Sequence, residues 1–492
     1  MARLNDQRLV TVSIMLATVM QVLDTTIANV ALPHMQGSLS ASTDQITWVL
    51  TSYIVAAAIM TPTVGFMASR LGRRRLFLWS VAGFTVTSGL CGLSASLDQM
   101  VLFRILQGVF GAALVPLSQS VLLDAYPVEK HGQAMAIWGM GVMVGPILGP
   151  TLGGWLTEWY SWRWVFYINL PFGLLAFAGI WLSVSETETR KVRFDIMGFA
   201  YLGLAIGAFQ LMLDRGEQVQ WFESFEIQLE AVLALLGLYL FVVHSLTRKD
   251  PFIDPALFKD RNFVTGLVFI FVVGIILLAT MALLPPFLQQ WKDYPAVTTG
   301  LVLAPRGLGS MFSMILVGRL MRTRLDPRVL VITGLLFITF SLHEMAGFTL
   351  EVSRNTLIWT GVLQGLGLGL VFVPASALTY ATLNPSLRTE GASLFSLSRN
   401  LGSSVGISIM TAMLSRNLWI NQQQLGEHLQ LAPWLSQGLP MKEMVGSVPA
   451  AVYQTLLSQA AEISYMNDFR LLMWINMAAI PLVFLLRHQR RA

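Results

Sequence analysis

Apolar stretches long enough to cross a bilayer recur along almost the whole chain, and they restrict its fold more than any other feature. With a window of about 20 residues, we predict fourteen membrane-spanning helices, at 9–32, 46–67, 77–97, 100–123, 133–157, 164–184, 196–214, 228–247, 263–288, 298–318, 329–349, 355–380, 392–415 and 468–486. The composition agrees, since 54% of the 492 residues are hydrophobic and only 12% are charged. We therefore predict an all-α polytopic membrane protein.

The basic residues are divided unequally between the two sides that these helices define. If the N-terminus is cytoplasmic, the cytoplasmic connections carry about three times as many Lys and Arg residues as the opposite ones. The positive-inside rule thus predicts that both termini lie in the cytoplasm. The net charge of +5 is then a topology signal, not evidence for nucleic-acid binding. The single cysteine, Cys91, excludes an intramolecular disulfide and a cysteine-based metal cluster.

The segment LDTTIANVALP, residues 23–33, places the carboxylate of Asp24 inside the first predicted span. An ionisable side chain in the hydrocarbon region is costly and by default marks a functional site. At 1.5 Å of rise per residue, Asp24 lies roughly 12 Å, and Arg104 of the fourth span roughly 6 Å, below the outer helix ends, so we expect the two to be neighbours. Arginine favours the charged carboxylate and desolvation favours the neutral form, so such a pair suits proton exchange. A structural buried ion pair is the alternative.

Two parts of the chain resemble each other. LQGVFGAALVPLS at 106–118 in the fourth span is matched by LQGLGLGLVFVPAS at 363–376 in the twelfth. Many transporters consist of such repeats, with the substrate site between them. We predict an N-terminal six-helix bundle at 1–185, two inserted helices with a linker at 186–262, and a C-terminal six-helix bundle at 263–492.

The two copies differ at their charged positions. Aligning ALP at the end of the first span with LLP at the end of the ninth places Ile276 where Asp24 stands. Aligning the two LQG stretches places Gly361 where Arg104 stands. A requirement of the fold would be expected in both copies, so the asymmetry favours a functional role for Asp24 and Arg104.

One connection, the polar stretch 416–467, is much longer than the other predicted outer connections. We predict that it forms a long periplasmic loop. It is either a solvated connector or a docking surface for an external partner, since long loops in compact proteins are often functional.

Glycines recur every fourth residue in the fifth predicted span, and two prolines lie beside them: Gly141, Gly145, Pro146, Gly149, Pro150 and Gly153. This spacing puts the glycines on one helix face, where a neighbouring backbone can approach closely. The prolines remove helix hydrogen bonds and favour a bend. We predict a mobile contact at which a large side chain would hold the two halves apart; simple tight packing is the alternative.

Four segments carry a family resemblance: LDTTIANVALP at 23–33, RILQGVFGAAL at 104–114, GVMVGPILGPTLGG at 141–154 and WRWVFYINLPFG at 162–173. Together they resemble the fourteen-helix drug:proton antiporters of the major facilitator superfamily, and within it the EmrB-type multidrug exporters of Gram-negative inner membranes. The resemblance covers nearly the whole chain. It implies a rocker-switch exporter that exchanges external protons for hydrophobic or amphipathic toxicants.

The resemblance also implies roles for particular residues. Asp24 and Arg104 match the acid and the arginine that are associated with proton coupling in that family, and Gly145 with Pro146 matches the pattern associated with antiport. EmrB-type members work with a periplasmic adaptor and an outer-membrane channel of the TolC kind, which we expect as partners. We expect no cofactor and no metal.

Two further groups of residues complete the expected transport machinery. The substrate cavity is predicted to include Gln21, Thr25, Gln107 and Gln364. The gate at the cytoplasmic loop after the second span is predicted to include Gly65, Arg70, Gly72, Arg73 and Asp124. This loop departs from the superfamily pattern, because Ser69 stands where an aspartate is usual.

Two other functions are less consistent with the sequence. Proton-coupled uptake of a small metabolite is disfavoured by the GPILGP pattern in the fifth span. A polytopic membrane enzyme would need convergent catalytic groups, but the six histidines are scattered and no phosphate-binding glycine loop or metal-ligand spacing occurs. We therefore predict a transporter and not an enzyme.

Overall fold

The computed structural model describes residues 7–127, 130–189, 193–248, 251–322, 325–427 and 450–486, and within them the regular elements are all helices. The first group of helices contains α1 Gln7–Ser38, α2 Thr43–Ile46, α3 Trp48–Met60, α4 Thr63–Leu71, α5 Arg73–Leu93, α6 Leu97–Gly111, α7 Leu114–Ala125, α8 His131–Trp159, α9 Trp164–Tyr167 and α10 Asn169–Ser183. It is followed by α11 Ile196–Arg215, α12 Phe225–Thr247 and the short α13 Ala256–Lys259. The second group contains α14 Arg261–Pro286, α15 Ala296–Leu320, α16 Pro327–Met345, α17 Arg354–Ala381, α18 Arg388–Glu427 and α19 Ala450–Ala479.

Within the described ranges, twelve helical segments are long and apolar enough to cross a membrane, and a thirteenth is added if α3 and α4 form one bent span. These two helices meet at 59°, at Pro62, whose ring removes a helix hydrogen bond. The predicted all-helical membrane fold is thereby confirmed, whereas the count of fourteen is not. The predicted span 392–415 lies in α18, which is not among the twelve because polar residues are interspersed along it.

Each group of helices has its own internal packing. In the first group, α1 packs on α8 and α10, and α6 packs on α3 and α5. In the second group, α17 packs on α14, α15 and α16, while α18 packs on α14 and α19. The two groups meet where α8 contacts α15 and where α7 contacts α18. The intervening α11 contacts α3 of the first group and α18 of the second.

Polar side chains join the two groups at one end of the bundle, which we call the Asp124 end. Three contacts connect α7 with the start of α18 and the end of α17: Arg388 Nη1 to Asp124 Oδ1 at 2.9 Å, the hydroxyls of Ser120 and Thr389 at 2.9 Å, and Tyr380 Oη to Gln119 Oε1 at 3.1 Å. All three link residues more than 250 positions apart in the chain. The structure therefore has its two groups of helices in contact at the Asp124 end.

The polar stretch 416–467, predicted to be a loop, is helical wherever the structure describes it. α18 continues to Glu427 and α19 begins at Ala450, while residues 428–449 lie outside the described residues. The two helices contact each other through Asn421 Nδ2, which donates to Ser464 Oγ at 3.0 Å. The loop prediction is wrong for these flanks, because polarity does not distinguish a loop from a solvated helix and this part of α18 contains good helix formers such as Leu and Gln. We call residues 416–427 and 450–467 the α18–α19 extension.

Candidate functional site

Asp24 and Arg104 are in direct contact in the interior of the first group. Arg104 Nη1 donates to Asp24 Oδ2 at 2.7 Å. Arg104 is 0% exposed and Asp24 is 2% exposed. Arg104 Nε donates to the carbonyl of Val49 at 2.9 Å. A buried ion pair needs such additional hydrogen bonds to offset the loss of its hydration.

Two amide side chains complete the coordination of the carboxylate. Gln107 Nε2 donates to Asp24 Oδ1 at 2.9 Å, while its Oε1 accepts from Arg104 Nη1 at 2.8 Å. Asn169 Nδ2 donates to Asp24 Oδ1 at 2.8 Å and lies 2.9 Å from Ser88 Oγ. We call these five residues the Asp24 network. Arg104, Gln107 and Asn169 each donate a hydrogen bond to a carboxylate oxygen of Asp24.

Four helices bring the Asp24 network together. Arg104 and Gln107 lie three positions apart on α6, which places them on one helix face, and α1 lies opposite with Asp24. Asn169 is the first residue of α10. It was not predicted as a site residue, although it belongs to the NLP segment of the WRWVFYINLPFG motif. A polar amide side chain inside the predicted span 164–184 was the available signal.

Aromatic rings cover the guanidinium group of Arg104. Its Cζ lies 4.5 Å from the centre of the Tyr53 ring and 5.6 Å from that of Phe166. Cation–π attraction of this kind is strongest where water is excluded. The rings therefore stabilise the arginine on the faces that make no hydrogen bond.

The structure places the four predicted cavity residues in different surroundings. Gln21 is half-buried and its Nε2 donates to Tyr53 Oη at 3.1 Å, next to the network that contains Gln107. The Thr25 hydroxyl is half-buried and bonds within α1. Gln364 is fully buried in α17 of the second group, where its Nε2 donates to Thr280 Oγ1 at 3.2 Å. Among the described residues, no hydrogen bond links Gln364 to the other three.

The glycine face of α8 packs against α1. A Cβ added to Gly145 would lie 2.7 Å from the Val22 carbonyl oxygen, and one added to Gly149 would lie 2.7 Å from Thr26 Cβ. Gly153 faces the Ile27 carbonyl in the same way, and Gly141 faces Met15. In this structure the glycine face therefore contacts a helix of its own group, and its role as a mobile contact stays a prediction. Spacing alone identified the close approach but not the partner helix.

A different face of α8 meets the second group. A Cβ on Gly318 of α15 would lie 3.0 Å from Ala136 Cβ, and one on Gly300 would lie 3.8 Å from Thr151 Oγ1. α8 is one continuous helix through both prolines, with Pro146 half-buried, while the side chain of Pro150 lies outside the described part.

The predicted loop gate lies at the Asp124 end. Arg73 and Arg388 both form ion pairs with Asp124, so one carboxylate joins the start of α5 to the start of α18. Gly72 has φ +86°, in the region that favours glycine, and forms the turn between α4 and α5. Arg70 is exposed.

Glu390 also contacts this gate and was not predicted. A Cβ added to Gly65 would lie 2.8 Å from Glu390 Cα, so the glycine permits α4 and α18 to touch. Glu390 Oε1 accepts the backbone N–H of Asp254 at 2.7 Å. These residues line a cavity of about 630 Å³ together with Arg73 and Asp195. Burial raises the pKa of Glu390 to about 7, against the lowering effect of the Asp254 N–H.

Many apolar spans, an interior ion pair and two groups of helices that pack against each other are the features of a multi-pass membrane transporter. The sequence model of the Major Facilitator Superfamily matches residues 14–407, and the chain belongs to that superfamily.

Individual relatives are similar over most of the chain. The chain is 39% identical over 422 residues to the fatty acid resistance protein FarB of Neisseria gonorrhoeae, which covers 85% of this chain and 83% of that protein. It is 38% identical over 427 residues to the multidrug export protein EmrB of Escherichia coli strain K12, with coverages of 86% and 82%. The predicted resemblance to EmrB-type exporters is thereby confirmed.

Solved structures share the fold at low sequence identity. The human organic anion transporter MFSD10 (TETRAN) superposes with a TM-score of 0.59 at 15% identity, over 96% of this chain and 99% of that one. A bacterial homologue of the lysosomal transporter Spinster, inward-facing and unoccupied, superposes with a TM-score of 0.57 at 17% identity, over 98% and 97%.

Proposed function

We propose that this protein exports hydrophobic or amphipathic drugs and other toxic compounds across the bacterial inner membrane, in exchange for protons and by alternating access. The similarity to the multidrug export protein EmrB and to the fatty acid resistance protein FarB supports export. The observation that carries proton coupling is the Asp24 network, in which one carboxylate of the first group is buried against Arg104 and two amides.

The Asp24 network gives the charged and the protonated forms of Asp24 different free energies. In the charged form its oxygens accept hydrogen bonds from Arg104, Gln107 and Asn169. Protonation removes the charge that holds Arg104, so it becomes favourable only in a conformation that separates the two or gives water access to them. Two conformations with different access to Asp24 therefore bind a proton with different affinity, which is the requirement for coupling.

The proposal includes the arrangement in the membrane. The fourteen spans consist of six in residues 1–185, two in 186–262 and six in 263–492, with α18 as the span that is more polar than the rest. The Asp124 end and both termini face the cytoplasm, which is supported by the excess of Lys and Arg on that side. Residues 1–6 and 487–492 lie outside the described residues.

Replacement of Asp24 tests the coupling. Asp24→Asn should fold and reach the membrane but abolish drug-driven proton release from reconstituted vesicles, since a permanently neutral side chain cannot exchange a proton. Asp468→Asn is the matched control, because Asp468 is also fully buried in a helix but contacts Asn417 instead of an arginine. Normal proton release by the Asp24→Asn protein would disprove the coupling role. Counterflow in the same vesicles reports direction, and net drug movement towards the cytoplasmic side would establish the uptake alternative.

We also propose that the α18–α19 extension, outside the membrane, contacts a periplasmic adaptor that leads to a TolC-like outer-membrane channel. A transporter that released substrate only into the periplasm would have no evident use for helices that continue so far beyond the bilayer. Deleting residues 422–440, which removes the end of α18 within the α18–α19 extension, should preserve proton-coupled transport in vesicles but remove drug resistance in whole Gram-negative cells. Loss of vesicle transport would instead make this segment part of the transport path, and unchanged resistance would remove the adaptor from the proposal.

A further inference from the structure

The second group of helices contains a buried cation for which the described residues provide no counter-ion. Arg306 lies in the middle of α15 and is 7% exposed. Its Nη2 donates to the Leu277 carbonyl at 3.2 Å, while its Nε has no hydrogen-bond partner. None of the ion pairs formed by the described residues includes it. An uncompensated charge inside the membrane is costly and marks a functional site by default.

Arg104 and Arg399, two other arginines inside predicted spans, both have partners. Arg104 pairs with Asp24. Arg399 of α18 has its Cζ 5.8 Å from the centre of the Trp138 ring, and its Nη2 lies 3.4 Å from Asn400 Oδ1. Arg306 has neither a carboxylate nor an aromatic face among the described residues.

The internal repeat shows what Arg306 lacks. Gly361 occupies the position that corresponds to Arg104, and a Cβ on Gly361 would lie 3.6 Å from Arg306 Cβ. The second copy thus also has an arginine next to the position that corresponds to Arg104, but this arginine, Arg306, belongs to α15 instead of α17. Its guanidinium reaches the carbonyl of Leu277, the residue after Ile276, which corresponds to Asp24. Arg306 therefore points at the part of α14 that corresponds to the Asp24 position of α1.

Gln364 corresponds to Gln107, and its hydrogen bonds are incomplete in a similar way. Gln107 Oε1 accepts from Arg104, whereas Gln364 Oε1 is buried without a partner. Gln364 Nε2 uses one hydrogen for Thr280, three residues from Leu277 and on the same face of α14. The second copy contains the arginine and the amide of the Asp24 network but no carboxylate.

We propose that Arg306 and Gln364 bind the acid group of an anionic amphipathic substrate, which takes the place that Asp24 occupies in the first copy. The guanidinium Nε–H and the second Nε2 hydrogen of Gln364 are the donors that a carboxylate requires. The part of α14 that Arg306 reaches carries the apolar residues Ile276 and Leu277, which suit a hydrocarbon tail. This inference rests on the proposed export function and names its substrate class.

Binding to the purified full-length protein in lipid nanodiscs tests the proposal, with dodecanoate as the anionic probe and 1-dodecanol as the neutral probe of equal chain length. Arg306→Gln should weaken dodecanoate binding about tenfold or more, because a charge-assisted hydrogen bond is lost, and should leave dodecanol binding within about twofold. Arg399→Gln is the matched control and should change neither. Equal loss of both ligands in Arg306→Gln, unchanged dodecanoate binding, or a wild type that binds no dodecanoate would overturn the proposal.

A second variant supplies the missing acid from the protein. Ile276→Asp should provide an internal partner for Arg306 and so abolish dodecanoate binding while dodecanol still binds. Ile276→Asn is its control, because it is polar but uncharged, and it should retain dodecanoate binding. If Arg306→Gln does not fold, this pair decides the question, and equal dodecanoate affinity in both variants would contradict the proposal.

The outcome can be separated from that of the coupling test. Asp24→Asn should lose proton release but still bind dodecanoate, whereas Arg306→Gln should lose dodecanoate binding but still release protons in response to a cationic drug such as tetraphenylphosphonium. Failure of the second expectation places Arg306 in the coupling machinery and overturns the substrate role.

Discussion

Asn169 lies next to the buried carboxylate of Asp24 and holds it in place through a hydrogen bond. Its amide reaches Asp24 and Ser88, so it fixes α10 and α5 relative to α1. Among the described residues, its side-chain hydrogen bonds reach none in the second group. We therefore assign it a positioning role for Asp24.

Asn169→Ala should slow drug-driven proton release about tenfold per folded protein, since a hydrogen bond to a charged group contributes about 1.5–3 kcal/mol. Stopped-flow proton release from vesicles with matched protein content measures this. Asn476→Ala removes an equally buried amide, which bonds to the Leu335 carbonyl in the second group, and should reduce stability without reducing proton release. Equal slowing in both variants would show that Asn169 has only a structural effect.

Glu390 makes stability depend on pH at the Asp124 end. Burial raises its pKa from 4.5 to about 7 in the folded protein. The folded state therefore binds more protons than the unfolded state between these values, and stability falls as pH rises through them. Glu390→Gln retains the oxygen that accepts the Asp254 N–H but cannot ionise.

The apparent melting temperature in detergent should decline from pH 5 to pH 8 more steeply for the wild type than for Glu390→Gln. Thermal denaturation followed by tryptophan fluorescence at several pH values measures the difference. Parallel pH profiles would mean that Glu390 does not titrate in this range in the folded state.

At the scale of elements, the contact between α1 and α8 determines where the acid lies. Val22 and Thr26, which face the glycines, are two residues before and two after Asp24. The Thr26 hydroxyl also donates to the Gly145 carbonyl at 3.1 Å. Any displacement of α1 from α8 therefore displaces Asp24 from its network.

Gly145→Ala should destabilise the protein by about 1–3 kcal/mol, the typical effect of overpacking, because the new Cβ would lie 2.7 Å from a backbone oxygen. It should also reduce efflux. Gly154→Ala on the same helix should be neutral in both, since a Cβ there meets nothing within 4 Å. Thermal stability and efflux of the two variants test this, and equal behaviour would remove the glycine face from the positioning of Asp24.

Some elements follow directly from the sequence and others depend on contacts that it does not contain. Hydropathy located the spans because water is excluded from their whole length. It missed the helical state of the α18–α19 extension, where no such exclusion applies. Asp24 and Arg104 were recognisable because charge in a span is rare. The partner of the glycine face, and the approach of Arg306 to Gly361, depend on which helices are adjacent.

At the scale of the whole molecule, Asp124 joins the two groups through Arg73 and Arg388. Asp124→Asn would leave the two arginines facing each other without the carboxylate, so the Asp124 end should open more often. Distances between spin labels at the exposed positions Arg70→Cys of α4 and Ala381→Cys of α17, with Cys91→Ser, should shift towards longer values. Glu186→Gln, which removes an ion pair with Arg75 away from α18, is the control. Identical distance distributions for Asp124→Asn and the control would show that the ion pairs do not hold this end closed.

α18 connects both ends of the molecule as one continuous element. Its 40 residues correspond to a length of about 60 Å, twice the roughly 30 Å of a hydrocarbon core. Arg388 at its first position contacts Asp124, and its last turns form part of the α18–α19 extension. A tilt of α18 that opens or closes the transporter at one face of the membrane would therefore also displace the far end of this helix at the other face. A protein bound to the far end of α18 would be displaced when the transporter changes conformation, before any substrate reaches that protein.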